Sequence, residues 1–458
     1  MLKGLEVSEI KFSMLNEELR IDAEYFSKQN ISGIKRLSDF GTIKISDIAE
    51  VTDGIHTSID YDENSRINLI SAGSPKENVF DLSRNVFISE KAHKENPRTA
   101  LRKDDVIIST VGTIGNCAVV DESILPANCD RHVGIIKINK DYSPHVLSTF
   151  LLSKYGRLQT MRESTGNVQL NLFIYKLKEL LIPAFSKDFQ SKIETLVKSA
   201  HARLEESKSL YAQAENLLRS ELGMSRKNPS ENSDSCGGAN VSIKRFSDVF
   251  QSGRLDSEYY QKKYDLIEEK ISHLETLQIS EIGKLNDKNF SPEENAEYKY
   301  IELADIGSQG EISSCTLAKG SELPTRARRI VHKGDVLVSS IEGSLQSCAI
   351  VPSEFDGALC STGFYVIEPE TMNAETLLIL LKSENIQLLL KKGCSGTILT
   401  NISKEEFLKI RIPVLSTEIQ SKIASLVQSS FSCRAESRQL LQSAKTLVEQ
   451  EIEKLGAE

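Results

Sequence analysis

No stretch of this sequence is apolar over the roughly 18 consecutive residues that a membrane-spanning helix requires, so no membrane span is predicted. The first residues lack the basic and then apolar pattern of a secretion signal, and a cytoplasmic location is expected. None of the eight cysteines is spaced as Cys-x-x-Cys, which argues against a zinc site. Cys117 and Cys348, like Cys129 and Cys360, recur 231 positions apart in apolar runs and are predicted to be small buried side chains rather than parts of a disulfide framework.

The common catalytic motifs are missing as well. The sequence has no P-loop, no His-Glu-x-x-His metal motif and no Gly-x-Ser-x-Gly nucleophile motif. The Asn-Pro pairs at Asn96 and Asn228 lack the Pro-Pro-aromatic continuation that amino-methyltransferases use, and no Gly-x-Gly follows a predicted strand. His56 stands near Asp53 and offers half of an acid-base pair, but a loop histidine is more often a polar surface contact. No catalytic residue, metal site or cofactor is therefore predicted.

The charge balance is acidic, because 56 basic and 65 acidic residues leave a net charge of −9. This balance does not favour nucleic-acid binding, but it does not exclude it, since what matters is whether basic residues cluster on one face. A cluster does occur at a corresponding place in each half of the chain, although a solvated surface is the alternative interpretation for each residue alone. The clusters are Lys91, His93, Lys94, Arg98, Arg102 and Lys103, and then Arg326, Arg328, Arg329, His332 and Lys333, with Lys391 and Lys392 later.

The clearest feature that is present is an internal repeat. The tetrapeptide Gln-Ser-Lys-Ile occurs at 190–193 and again at 420–423, a shift of 230 positions, and an Ile-Pro pair precedes each copy. Apolar residues then follow at spacings of three and four, without proline or glycine before the end, which predicts long helices with a coiled-coil stripe at 186–224 and 416–458. One such stripe cannot be buried alone, so the two helices are predicted to pair antiparallel. Two independent surface helices are the alternative.

The repeat extends over most of the chain. The stretch from Arg20 to Tyr25 (RIDAEY) returns as RLDSEY at 254–259, and the buried-strand candidate Val106–Ser109 returns as Val336–Ser339. Between these landmarks, short β-branched runs alternate with Gly, Asn, Asp and Ser turns, as in strand-rich domains.

At 458 residues the chain is too long for a single core, so at least two domains are expected. The predicted fold class is α/β (α+β), with two mixed strand-rich domains separated by the two long antiparallel coiled-coil helices in an internal pseudo-twofold repeat. The Ser-, Asn- and Gly-rich stretch between the halves predicts a flexible linker. The expected boundaries are domain one at 1–185, helix one at 186–224, linker at 225–240, domain two at 241–415 and helix two at 416–458.

Polar loops follow the repeated strands. The stretches at 112–115 and 342–345 predict turns between strands, while a phosphate-binding loop is disfavoured because no helix pattern or lysine follows. The stretches at 166–171 and 396–401 alternate polar and apolar residues; they either show Asn and Gln side chains to a ligand or face solvent, and both interpretations stay open. The stretch at 53–58 has no counterpart in the second half, so each domain is expected to present a different recognition surface on a common frame.

The order of these features, occurring twice, resembles the specificity subunit of type I restriction-modification systems. The marks that carry the resemblance are the two RIDAEY-like stretches, Asp53-Gly54-Ile55-His56, the strand at 105–109 with its Gly-Thr-Ile-Gly turn, and the Ile-Pro entry to each long helix. The resemblance implies two target recognition domains that each read half of a bipartite double-stranded DNA site. It also implies partners: DNA adenine methyltransferase subunits, expected to be two, and a restriction and translocase subunit.

The resemblance further implies that DNA is contacted by basic and polar loop residues. Arginine and lysine would position the protein on phosphates, while Asn, Gln, Ser, Thr and a few Arg would read base edges. The candidates are His56, Thr57, Ser58, Arg98, Thr113, Asn116, Asn167, Gln169 and Asn171 in the first domain, and Arg326, Arg328, Arg329, Ser344, Gln346, Thr397, Thr400 and Asn401 in the second.

Two other functions remain as alternatives. The first is a coiled-coil scaffold that joins partner proteins without contacting DNA. The second is a nuclease or methyltransferase acting by itself, which the missing motifs disfavour.

Overall fold

The structure is a computed structural model that describes residues 6–12, 15, 20–166, 168–223, 242–396 and 400–454. The predicted linker at 225–240 and the candidate residues Asn167 and Thr397 lie outside the described residues. The chain forms two compact units. Unit 1 comprises residues 1–205 together with 434–458, and unit 2 comprises residues 206–433.

Unit 1 combines six helices with nine short strands in its described part. The helices are α1 Lys28–Phe40, α2 Ile45–Ile48, α3 Glu90–Glu95, α4 Pro144–Leu152, α5 Lys154–Glu163 and α6 Ile174–Glu179. The strands are β1 Thr42–Lys44, β2 Ala49–Asp53, β3 Ile67–Ile70, β4 Val86–Ile88, β5 Val106–Ser109, β6 Cys117–Val119, β7 Ala127–Cys129, β8 Val133–Ile138 and β9 Leu181–Pro183. The long helix α7, Lys187–Glu221, begins in this unit.

The main sheet of unit 1 has the strand order β2-β8-β5-β6, with every neighbouring pair antiparallel. Its inner strand β5 is buried along its whole length, as the continuous run of Val106, Ile107 and Ile108 predicts. A second sheet, β4-β3-β7, contains a parallel β3-β7 pair, and β1 pairs with β9. The apolar helix α4 packs over one face of the main sheet, and its Val146, Leu147 and Phe150 belong to the same core cluster as Val106 and Ile108.

Unit 2 repeats this plan. Its helices are α8 Phe246–Ser252, α9 Lys262–Ser272, α10 Ile279–Ile282, α11 Ala374–Lys382, α12 Glu384–Gly393 and α13 Lys404–Lys409. Its strands are β10 Thr276–Gln278, β11 Gly283–Asn286, β12 Glu297–Ile301, β13 Thr316–Lys319, β14 Ala327–Ile330, β15 Val336–Ser339, β16 Cys348–Ile350, β17 Leu359–Ser361, β18 Phe364–Pro369, β19 Cys394–Ser395, β20 Asn401–Ile402 and β21 Arg411–Pro413. The long helix α14, Thr417–Lys454, begins here.

The main sheet of unit 2 has the order β11-β18-β15-β16 and matches β2-β8-β5-β6 strand for strand. Its second sheet, β13-β12-β17-β14, is larger than the corresponding sheet of unit 1. Cys348 and Cys360 are buried in these sheets, as Cys117 and Cys129 are in unit 1, which confirms that these four cysteines are core side chains. The predicted fold class and the internal repeat are therefore confirmed.

The long helices pair antiparallel within each unit. In unit 1, Ile193 and Val197 of α7 share a core cluster with Val448 and Ile452 of α14, whereas the later residue Arg203 pairs with the earlier Glu436 over 3.1 Å. In unit 2, Tyr211, Ala214 and Leu218 of α7 share a cluster with Ile423 and Val427 of α14. Residue numbers thus rise along one helix as they fall along the other. The buried positions of α7 are spaced by three and four, with one step of seven from 200 to 207, as in a heptad seam: 190, 193, 197, 200, 207, 211, 214 and 218.

The repeated RIDAEY-like stretch forms a clamp in each unit. In unit 1 the guanidinium of Arg20 pairs with Asp22, lies 4.3 Å from the ring centre of Tyr25, and donates to the carbonyl of Arg162 at the end of α5. The Asp22 carboxylate also accepts the backbone N–H of Tyr25 over 2.9 Å. The clamp therefore fixes the chain before α1 against the helix that leads into the 165–171 loop.

The same clamp occurs in unit 2. Arg254 pairs with Asp256, lies 4.7 Å from the ring centre of Tyr259, and donates to the carbonyl of Cys394 over 2.9 Å. A structural role thus accounts for this motif in both units.

Candidate nucleic-acid interface

The sheet register brings the carboxyl ends of two strands to one edge in unit 1. Asp53 at the end of β2 pairs with Gly134, and Ser109 at the end of β5 pairs with Val133, so both strands end beside the beginning of β8. Because neighbouring strands lie about 4.8 Å apart, the ends of β2 and β5 are separated by roughly 10 Å. The loops after β2 and β5, and the β7–β8 turn, therefore meet at this edge, which is called the reading edge below.

The loop after β2 supplies three of the predicted site residues. A Cβ at Gly54 would lie 2.0 Å from the backbone oxygen of Asp130, so only glycine allows the loop to approach the β7–β8 turn this closely. His56, Thr57 and Ser58 follow and are exposed. The Nε2 atom of His56 lies 2.5 Å from the Oδ2 atom of Asp53, which orients the imidazole at the reading edge.

Arg98 anchors the end of β2. Its guanidinium donates to Thr52, to the Asp53 carboxylate over 2.8 Å and to the backbone carbonyls of Asp53 and Gly54. Burial by itself would raise the pKa of the Asp53 carboxyl, but the hydrogen bonds from Arg98 and His56 outweigh it and hold that pKa below its ordinary value. Asp53 is therefore ionised at neutral pH, and the predicted DNA-binding arginine is committed to holding this loop.

Arg329, rather than Arg328, takes the corresponding position in unit 2. Its guanidinium donates over 3.2 Å to the carbonyl of Asn286, the last residue of β11, as that of Arg98 does to the last residue of β2. Arg328 instead donates from Nε to the carbonyl of Thr325. The 230-residue spacing between Arg98 and Arg328 therefore does not identify the equivalent side chains, because neighbouring residues of β14 point to opposite sides of the strand.

The turn after β5 contains two more candidate residues, and hydrogen bonds hold it from both sides. The Thr113 hydroxyl donates over 3.0 Å to the carbonyl of Ala72, and the Asn116 side-chain oxygen accepts from Arg157 over 2.6 Å. Arg157 on α5 also donates to the carbonyl of Ile114 over 3.0 Å and pairs with Glu77. A helix residue behind the turn thus fixes its backbone.

The equivalent turn in unit 2 is fixed in the same way with different side chains. Gln387 on α12 donates to the carbonyl of Leu345 over 3.0 Å, which reproduces the contact between Arg157 and Ile114. The Ser344 hydroxyl lies 2.8 Å from that of Ser339, while the side chain of Gln346 is exposed.

The second polar loop lies beside this turn in each unit. In unit 1 the backbone N–H of Leu172 donates to Thr110 over 2.9 Å, and Asn171 forms isolated β-bridges to Thr165 and Val111. Gln169 is exposed there. In unit 2, Ile402 donates to Ser340 over 2.9 Å and Glu342 donates to Thr400, while Asn401 bridges to Ile341. The structure therefore brings together loops that are about 55 residues apart in each copy.

The remaining candidates of unit 2 lie around the β14 strand. Arg326 is exposed, its carbonyl accepts from the backbone N–H of Thr362 in the β17–β18 turn over 2.9 Å, and its guanidinium lies 3.8 Å from Glu302. The carbonyl of Arg328 accepts from Phe290 in the connection after β11. These arginines therefore border the edge of unit 2 that corresponds to the reading edge.

Most of the basic cluster residues are paired with acids of the same unit. Where both partners are largely exposed, such pairs contribute little to stability and are open to exchange with a phosphate. The pairs are Lys91 with Glu95, Lys94 with Glu90, Lys103 with Glu122, Arg98 with Asp53, Arg326 with Glu302, His332 with Asp356, Lys391 with Glu342 and Lys392 with Glu268.

Sequence reasoning missed the β7–β8 turn, Asp130-Arg131-His132. This turn lies at the reading edge, between the ends of β2 and β5, and the side chain of Arg131 is exposed. The Asp130 carboxylate accepts the backbone N–H of His132 over 2.8 Å and thereby closes the turn. A signal was present, since three polar residues separate two runs that are otherwise buried.

One family model, described as the type I restriction modification DNA specificity domain, matches the chain twice, at residues 37–211 and 271–445. The chain belongs to this family. As a type I specificity protein it carries two specificity domains, each matched from its first helices or strands into one of the long helices. The resemblance inferred from the sequence is thereby confirmed.

Three solved structures from type I systems are similar at low identity. The S subunit from M. genitalium is 15% identical over 91% of this chain and 95% of that one, with a TM-score of 0.42. The HsdS subunit from Thermoanaerobacter tengcongensis is also 15% identical, over 91% and 96%, with a TM-score of 0.27. A chain from a study of assembly and conformational transition of a type I R-M system is 14% identical over 91% and 97%, with a TM-score of 0.28. The search of curated proteins found no match.

No helix in the described part of the chain is long and apolar enough to cross a membrane. No group of three or more His, Cys, Asp or Glu side chains among the described residues is placed to hold a metal ion.

Proposed function

We propose that this specificity protein is the DNA-reading subunit of a type I restriction-modification complex and has no catalytic activity of its own. Unit 1 reads one half of a bipartite DNA site with the loops of its reading edge. Unit 2 reads the other half with the loops of its equivalent edge. DNA adenine methyltransferase subunits, two per complex, dock on the chain, and a restriction and translocase subunit acts through them. The complex works in the cytoplasm on foreign DNA.

The observation that carries this proposal is that both units form the same strand edge but place different side chains on it. Both units end equivalent strands at this edge, tie the following turn from a helix behind it, and add a second polar loop. The residues offered there nevertheless differ, as with His56, Thr57 and Ser58 of unit 1. A shared frame with different side chains is what two readers of two sequences require, because base edges are distinguished by the pattern of hydrogen-bond donors and acceptors.

The test is methylation-aware sequencing of cells that express the chain together with the methyltransferase subunit of the same system. We expect methylated adenines within one motif of two short defined segments that are separated by unread base pairs. Cells that lack this chain but retain the methyltransferase should lose the motif. Methyl transfer from labelled S-adenosylmethionine to DNA by the purified chain alone would overturn the non-catalytic role.

A domain exchange tests whether the units read independently. Residues 276–413 run from β10 to β21, which pair with each other and close the globular part of unit 2. Replacing this segment by that of another family member, with both long helices retained, should change one half of the motif and leave the other half as it was. A folded hybrid that methylates neither parental half-site would contradict independent reading. A complex that assembles but binds no DNA would favour the scaffold function.

A further inference from the structure

We propose that Arg131 reads a guanine in the half-site bound by unit 1 and accounts for part of the difference between the two half-sites. This inference rests on the proposed function and names a specificity-determining residue within it. The argument combines the position of Arg131, the state of its guanidinium and its replacement in unit 2.

Arg131 occupies the middle of the reading edge. It belongs to the turn that enters β8, and β8 is the strand between β2 and β5 in the sheet. Asp130 and Ile70 hold this turn to the second sheet as well, because the backbone N–H of Asp130 donates to the carbonyl of Ile70 over 3.0 Å. The backbone under Arg131 is therefore fixed from two sheets, and only its long side chain retains freedom.

The guanidinium of Arg131 is available for a ligand. Its Nε atom lies 3.4 Å from the Nε2 atom of His132, and no carboxylate of the described residues lies within 4.0 Å of it as an ion-pair partner. Arg98 and Arg329 differ in this respect, because both donate to the carbonyl that ends a strand. Arg131 donates from Nε to His132, and of these three arginines it alone keeps both Nη atoms, a planar pair of donors, without a partner among the described residues. A planar pair of donors matches the O6 and N7 acceptors of guanine in the major groove.

Unit 2 has a different residue at this position. Thr362 corresponds to Arg131 at a shift of 231, the same shift that relates Cys129 to Cys360, and its side chain is also exposed. The turn itself is retained, because the backbone N–H of Ser340 donates to the carbonyl of Gly363 over 2.9 Å as that of Thr110 does to the carbonyl of His132 over 3.0 Å. A contact that is the same in both units cannot distinguish two sequences. An arginine in unit 1 and a threonine at the equivalent position of unit 2 can.

A phosphate contact is the competing role for an exposed arginine at a DNA-binding edge. The two roles respond differently to lysine. Lysine keeps the charge that a phosphate needs, but it lacks the rigid fork that recognises guanine through two parallel hydrogen bonds. Loss of a phosphate contact weakens binding to all sequences alike, whereas loss of a base contact relaxes one position of the site.

The experiment uses the complete chain in its methyltransferase complex, with wild type, Arg131→Lys, Arg131→Thr and the control Arg66→Thr. Arg66 is also an exposed arginine of unit 1, but it precedes β3 and thus lies at the opposite end of that sheet from Asp130. Methylation-aware sequencing gives the motif of each variant. Binding is then measured on duplexes in which each position of the first half-site is permuted.

We expect both Arg131 variants to accept other bases at one guanine of the first half-site. Their affinity for the wild-type site should fall by about 10- to 100-fold, as for the loss of one bidentate base contact. The second half of the motif should remain unchanged, which also shows that the variants fold, and Arg66→Thr should behave as wild type.

An unaltered motif in Arg131→Thr, a uniform loss of affinity for every sequence, or full rescue by lysine would each overturn this inference alone. A wild-type complex that leaves no methylation motif would overturn the proposed function, and this inference with it.

Discussion

Replacing Arg157 by alanine should loosen the turn that follows β5 and weaken DNA reading by unit 1. The substitution removes two hydrogen bonds from a charged donor, to the carbonyl of Ile114 and to the side chain of Asn116. It also removes the ion pair with Glu77, which adds little because the Glu77 side chain is 56% exposed.

The magnitude follows from the number and exposure of these bonds. Hydrogen bonds to charged groups contribute roughly 1.5–3 kcal/mol each, and the partial exposure of the Arg157 side chain, 29%, favours the lower end. Two such bonds at the lower end give about 3 kcal/mol, so we expect the free energy of local opening at residues 110–117 to fall by about that amount, which makes amide hydrogen exchange there about 150-fold faster.

The matched variant is Arg157→Gln, because unit 2 carries Gln387 at the corresponding position. The amide of Gln387 donates to the carbonyl of Leu345 over 3.0 Å, so Arg157→Gln should retain the bond to Ile114 and lose only the others. The expected acceleration of exchange is then about 10-fold, for a loss of about 1.5 kcal/mol.

Hydrogen exchange monitored by mass spectrometry on peptides covering 110–117 measures both variants, and peptides from unit 2 serve as the internal control. DNA binding to the first half-site should weaken in the same order, alanine more than glutamine. Equal exchange rates in wild type and Arg157→Ala, or identical behaviour of the two variants, would mean that this side chain does not hold the turn.

Three further predictions concern pH, the helix seam and the spacing of the half-sites. Burial, and secondly the charge of His201, lowers the pKa of His145 from 6.5 to about 4, so the unfolded chain binds this proton at higher pH than the folded one. The free energy of unfolding should therefore fall by up to about 3 kcal/mol as pH drops from 6.5 towards 4. His145→Phe should remove most of this pH dependence, as measured by hydrogen exchange of α4. An unchanged pH dependence in the variant would contradict the assignment to His145. The buried hydroxyls of Ser207 and Ser430 lie 3.0 Å apart, so Ser430→Ala should lower the free energy of unfolding by about 1–2 kcal/mol because it leaves the Ser207 hydroxyl unpaired. The double alanine variant should lose less stability than the sum of the two single variants, and additive losses would refute the coupling. Inserting four residues after Ser207 and four before Ser430 should change the gap between the half-sites by one or two base pairs, because four helical residues span about 6 Å. Methylation-aware sequencing measures the gap, and an unchanged gap would exclude the helices as the spacer.

Several features of the site could not be predicted from the sequence, for definable reasons. Arg98 and Arg328 are related by the repeat spacing, but Arg329 makes the equivalent contact, because one residue of difference along β14 turns the side chain to the other side. The basic clusters suggest a DNA-binding face, yet eight of their thirteen members lie beside carboxylates, and six of these eight pairs join residues that are distant in sequence, such as Lys103 and Glu122. Arg131 was missed because a single arginine between two strands has no periodic pattern.

The sequence by itself determined the duplication, the two long helices and the buried strands β5 and β15. These features are local or repetitive, and they follow from a spacing of three and four, a run of β-branched residues or a motif that returns 230 positions later. The tertiary structure alone decided which loops meet. Only the pairing of β8 with both β2 and β5 brings the ends of those strands to one edge, because strand register depends on partners that are 24 to 89 residues away in the chain.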